Sequence, residues 1–188
     1  MANLTTYEHF VDEINIPINS TTGPDAEALL SFITKYEGKL LSGVLGYKLA
    51  STLLAAFNTD PQPTTGALFD LWDGKDYTDK HDRENHWPGF ITIGQNLIAN
   101  FIYCKWQADS NTFTTGNGEQ KSKFTNSVNA SPDAKTVRAW NEMVEMLLVM
   151  DDFICQNIAD YPDYIGRSVW WDTYTNNGYY TTTNELGF

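Results

Sequence analysis

The stretch from Ser131 to Met150 constrains this chain more than any other. Ser131 supplies a hydroxyl for the free amides of a first helical turn, and Pro132 has the fixed φ that suits the first helical position. Asp133 then places a negative charge at the positive end of the helix dipole. Val137, Trp140, Val144, Leu147 and Leu148 recur at three- and four-residue spacing, so they share one face. The spacing predicts a single long amphipathic helix running to about Ile158. The segment before it, Phe113 to Asn129, is polar, rich in Gly and Asn, and has almost nothing to bury. A helical core with a long polar arm suits a part that reaches for neighbours better than a pocket that holds a substrate.

The chain has 188 residues, enough for one domain with a real core, and its 41% apolar and 14% aromatic content excludes a wholly disordered polymer. Acidic residues outnumber basic ones 24 to 12, for a net charge of −12. That balance argues against autonomous DNA or RNA binding, which needs a basic footprint, and favours solubility. The start Met1-Ala-Asn-Leu-Thr-Thr lacks the basic and apolar regions of a signal peptide, and no apolar run approaches eighteen residues. The expectation is a cytosol-made protein with no membrane span. Cys104 and Cys155 fall in separate expected helices and form no CxxC pair or zinc spacing, so both are read as reduced, structural thiols.

Further expectations follow along the chain. Asn3 to Phe10 gives a weak signal for a short helix or strand, and Glu13 to Ile18 alternates as a short extended segment that Pro17 confines to an edge or an arm. Pro24 opens a helix to about Gly38, with Leu29, Leu30, Phe32, Ile33 and Tyr36 as its apolar face. A second helical stretch, Leu40 to Phe57, carries a break near Gly43–Gly46. Asn58 to Gly66 is a loop, and Ala67 to Trp72 a short helix. Lys75 to His86 has room for a small hairpin around Asp79–Asp82. A third long helix starts at Pro88 or Gly89 and reaches about Trp106, burying Phe90, Ile93, Leu97, Ile98, Phe101 and Ile102. Residues 107–130 form the polar arm, with two extended strands and a turn at Gly116-Asn-Gly118. The expected fold is mainly α: a bundle of about four to five helices with an extended polar arm and an aromatic C-terminal tail. Its helical domain covers 1–160 and its tail 161–188.

Candidate chemistry is thin. His81 and His86, with Asp79, Asp82 and Glu84, make a charged cluster whose five-residue histidine spacing matches no metal motif; it reads as a solvated loop. Asp151-Asp152 are neighbours on a helix, which do not face one another, so they read as a solvated face. Nucleophile-elbow, phosphate-loop, dinucleotide and zinc-protease motifs are all missing, so neither enzymatic activity nor a cofactor is expected. Arg138, one of few cations, pairs either within the fold or across an interface. The aromatic tail, with Trp170, Trp171, Tyr179, Tyr180 and Phe188, either folds back on its own helices, packs on another subunit, or forms a carbohydrate-binding platform.

Three segments carry a resemblance. They are Tyr36-Glu37-Gly-Lys-Leu-Leu-Ser-Gly-Val-Leu45-Gly46-Tyr47-Lys48-Leu49; Leu71-Trp-Asp-Gly74-Lys-Asp-Tyr77 followed by Trp87-Pro-Gly89-Phe90; and Val128 to Glu142. In order and content they resemble the head–tail connector, or adaptor, proteins of tailed bacteriophages, including crAss-like phages, over about residues 13–158. The resemblance implies a non-enzymatic virion protein assembled in the host bacterial cytoplasm. It would form a ring with copies of itself, typically twelve-fold, between the portal protein and the next tail component. DNA would pass through the ring without specific binding. Phe113, Phe124, Arg138, Trp170, Trp171, Tyr179, Tyr180 and Phe188 are then the expected contact residues. Two other readings compete: a non-enzymatic carbohydrate-binding module using the aromatic tail, and an enzyme built on His81 and His86.

Overall fold

The longest element described is the helix expected from Ser131: α5 spans Pro132–Gln156. The computed structural model describes residues 3–18, 23–94, 96–110, 112–115, 118–121 and 132–166, and Ser131 lies outside them. The buried stripe of α5 is Ala139, Met143, Leu147, Met150 and Ile154, flanked by Val144 and Phe153. Val137, Trp140 and Leu148 are only half-buried, so the stripe is rotated from the face expected. The methionines and Ala139 carry the difference: they pack as well as larger aliphatics where neighbouring helices approach closely. The helix ends at Gln156, and a short 3₁₀ turn, Ile158–Asp160, follows with Ile158 exposed.

The partner of α5 is α4, Leu97–Ser110. Every residue from Asn96 to Cys104 is buried, the mark of a helix enclosed on all sides. It starts at Leu97, not at Pro88 or Gly89. Gly89 (φ 80°) and Gly94 (φ 82°) adopt backbone conformations that no α-helix contains, and Asn96 supplies the start signal instead. Its Oδ1 accepts the amide of Ala99 at 2.8 Å while its Nδ2 donates to the carbonyl of Phe90 at 2.5 Å. Ile93, expected in the core, is 58% exposed because it sits on this loop.

Helix α1, Pro24–Leu45, packs on α4 and runs straight through Gly38, where an end was expected. Its buried stripe of Leu29, Ile33, Leu40, Leu41, Val44 and Leu45 continues past that glycine, and burying such side chains outweighs the roughly 1 kcal/mol that a helical Gly costs. The break falls at Gly46, whose φ of 88° turns the chain into α2, Tyr47–Phe57. Helix α3, Ala67–Asp73, leads to a hairpin of β1, Lys75–Thr78, and β2, Glu84–Trp87, in the register Lys75↔Trp87 and Thr78↔Glu84. A second hairpin, β3 (Thr112–Thr115) with β4 (Gly118–Lys121), leaves the end of α4. The described residues are thus mainly helical with small antiparallel hairpins.

Glu13 to Ile18 forms no strand; Asp12–Ile14 is a 3₁₀ turn, and Ile14 and Ile16 plug into the core while Pro17 faces out. At the other end, the chain packs on the bundle beyond residue 160. Tyr161 is 1% exposed and donates its hydroxyl to the carbonyl of Ala67 at 2.7 Å. Ile165 lies directly against Gly46.

Two glycines test how close the backbones run. A Cβ on Gly89 would sit 2.5 Å from the carbonyl oxygen of Trp72, whereas one on Gly66 meets nothing within 4 Å, and both residues have positive φ. Gly66→Ala is expected to cost about 1–2 kcal/mol from backbone strain alone. Gly89→Ala adds a steric clash and is expected to cost roughly 3 kcal/mol or more. Urea unfolding of the two variants checks the difference.

Candidate functional site

The charged segment Asp79–His86 is a tight turn and the strand after it. Asp79 is buried, and its Oδ1 accepts the amides of His81 at 2.8 Å and Arg83 at 3.0 Å. The Arg83 guanidinium closes on Oδ2, with Nη2 at 2.6 Å and Nε at 2.8 Å. These donors, the Arg83 backbone amide foremost, hold the carboxyl well below the usual carboxylate range despite its burial. Asp79 is therefore a turn clasp. His81 stays on the exposed turn, and His86 on β2 places Nδ1 2.7 Å from Oδ1 of Asp76 across the strand pair. Among the described residues, no group of three or more His, Cys, Asp or Glu side chains is arranged to hold a metal.

Asp151 and Asp152 are not a merely solvated face. The Tyr164 hydroxyl donates to Oδ1 of Asp151 at 2.7 Å, and that of Tyr77 to Oδ2 of Asp152 at 3.1 Å. Burial, then the hydrogen bond to Asp152 and its charge, push the Tyr77 hydroxyl far up. The two carboxylates diverge, as adjacent helical positions must, and each anchors a different segment to α5. Both cysteines are free thiols: Cys104 is buried, which pushes its thiol up to about 12, and Cys155 is exposed on α5.

The most unusual polar group was not singled out from the sequence. Glu37 on α1 is 3% exposed and accepts the amides of Leu4 at 3.0 Å and Thr5 at 2.7 Å, one on each carboxylate oxygen. It straps the N-terminal segment across the bundle. His9 extends the strap, with Nε2 3.2 Å from the carbonyl of Ile91, and Glu13 ends it on Arg138. The sequence signal that marks such a group is its place on α1's apolar stripe, four residues after Ile33 and three before Leu40.

Arg138 thus pairs inside the fold, its Nε 2.7 Å from Oε2 of Glu13. Phe113 lies on β3. Phe124, Trp170, Trp171, Tyr179, Tyr180 and Phe188 lie outside the described residues. Comparison with protein-family models, curated proteins and solved structures finds no match to this chain.

The Glu13–Arg138 pair is half-exposed on both sides. Arg138→Ala is expected to cost the isolated protein no more than about 1 kcal/mol in chemical denaturation. Glu37 predicts a pH dependence. Burial raises its carboxyl above the ordinary value of 4.5, outweighing the amide donors that pull it down. A carboxyl held high when folded contributes stability that is fully present below its unfolded value and is lost as pH rises through the folded one. The destabilisation caused by Glu37→Gln should therefore be larger near pH 4 than near pH 7.5, read from urea midpoints at each pH.

Proposed function

We propose that this chain is a structural subunit of a head–tail connector ring, joining a portal to a tail and lining the DNA exit channel. The observation that carries the reading is the ordered set of three segments, 36–49, 71–90 and 128–142, that resemble connector proteins. The fold supports it in kind. Those segments supply the helical corner at Gly46, the Trp87 packing site and the start of α5, so they are architectural and not catalytic in character. A short hairpin, β3–β4, leaves the bundle between α4 and α5, where an arm toward a neighbour is required. A net charge of −12 suits the wall of a conduit through which a polyanion must slide.

The experiment is the mass of the purified full chain, alone and mixed with its neighbouring portal protein, by native mass spectrometry. A closed ring, or a stoichiometric complex with the portal, is expected. A chain that stays monomeric and ignores the portal overturns the reading, as does tight binding of duplex DNA at physiological salt. Removal of residues 167–188, the aromatic tail expected to contact neighbours, is expected to weaken assembly in the same measurement.

A further inference from the structure

Two cavities share His86 of β2, one over the β1–β2 hairpin and one between the hairpin and α5. One, of about 600 Å³, opens between Asp76, Glu84 and His86. The other, of about 430 Å³, has Met146 and Val149 as its floor and Glu142 and Glu145 as its rim. The alternation of the hairpin builds the first: Asp76, Thr78, Glu84 and His86 are exposed, whereas Tyr77 and Trp87 turn toward Phe153 in the core. The helical period builds the second, setting Glu142, Glu145, Met146 and Val149 along one flank of α5.

The trough that they make has four carboxylates and, among the described residues, no Lys or Arg in its lining. Among the described residues, none of the ion pairs engages Glu84, Glu142 or Glu145. Arg138, whose charge acts on Glu142, is paired with Glu13. Burial, then the charges of Glu13 and Glu145, push the Glu142 carboxyl up against the opposing pull of Arg138, so negative charge is crowded over an apolar floor. A lysine or arginine side chain matches both halves of that surface. Its methylene stem covers Met146 and Val149 while its charged head reaches the carboxylates.

We infer that this trough docks an extended segment of a partner protein that carries at least two Lys or Arg side chains. The inference stands independently of the connector reading, since it concerns one groove of the monomer and not ring closure.

The probe is a fluorescein-labelled eight-residue peptide alternating lysine with valine, titrated with the full chain by fluorescence anisotropy. The same peptide with glutamate in place of lysine is the control. Binding of the basic peptide alone is expected, weakening as salt is raised. The double variant Glu142→Gln/Glu145→Gln should bind about three- to tenfold more weakly, whereas Glu8→Gln/Glu27→Gln, which removes the same charge from exposed positions elsewhere, should bind as the parent does. Hydrogen exchange should slow in β2 and the middle of α5 on binding. Equal weakening in both double variants would mean attraction to net charge alone and would overturn the site. So would no binding at low ionic strength, or a concentration-dependent dimer that excludes the peptide. Matched thermal transitions establish that all variants are folded.

Discussion

Everything between α3 and α4 depends on one crossing of backbone over backbone. The amide of Phe90 donates to the carbonyl of Trp72 at 2.8 Å, and the indole N–H of Trp87 donates to that of Leu71 at 2.9 Å. The crossing is this close only because Gly74 and Gly89 carry no Cβ where the two strands of chain meet. Trp87, fully buried, then stands edge-on to Phe90 with ring centres 5.2 Å apart, and Phe153 from α5 lies on its other side. A hairpin of two four-residue strands is marginal on its own in water. Here it is held by a large aromatic anchor at the end of β2, and its outer face is left free of structural duty.

The same anchoring by tyrosine and tryptophan recurs at the joints of the molecule. Phe57 stacks on Trp72 at 3.9 Å, tying α2 to α3. Tyr161 ties the segment after α5 to the start of α3, and Tyr77 ties β1 to α5. Each uses an apolar ring for packing and, in the tyrosines, a hydroxyl for one directed hydrogen bond.

The helices were legible in the sequence where period and glycine agreed. Tyr47–Phe57 and Ala67–Asp73 follow from apolar spacing between breakers, and α5 from its Pro132 start. They were misread where one residue type has two uses. Gly38 looked like a helix end because glycine ends helices, yet it lies in a stripe whose burial carries the helix onward. Pro88 and Gly89 looked like a helix start, but Gly89 serves the crossing described above, and the true start is marked by Asn96. Of the candidate chemistry, the turn around Asp79 was readable from local spacing. Glu37 was not, because its partners lie 32 and 33 residues away and only tertiary packing brings them together. The Glu142–Glu145 rim was equally hidden, since it becomes a trough only when His86 arrives beside it.

The strap formed by residues 3–18 has a consequence for how the protein emerges during synthesis. The partners that tie it to the rest of the fold come after it: Thr34 and Glu37 first, then Ile91, 82 residues beyond His9, and finally Arg138, 125 residues beyond Glu13. Leu4, Phe10, Ile14 and Ile16, which the finished protein buries, have no complete surface to cover until α4 and α5 have left the ribosome. A segment translated before its partners is therefore closed only after them. Until then four apolar side chains stay open to chaperones and to one another, with the acidic residues Glu8, Asp12 and Glu13 between them to keep nascent chains apart.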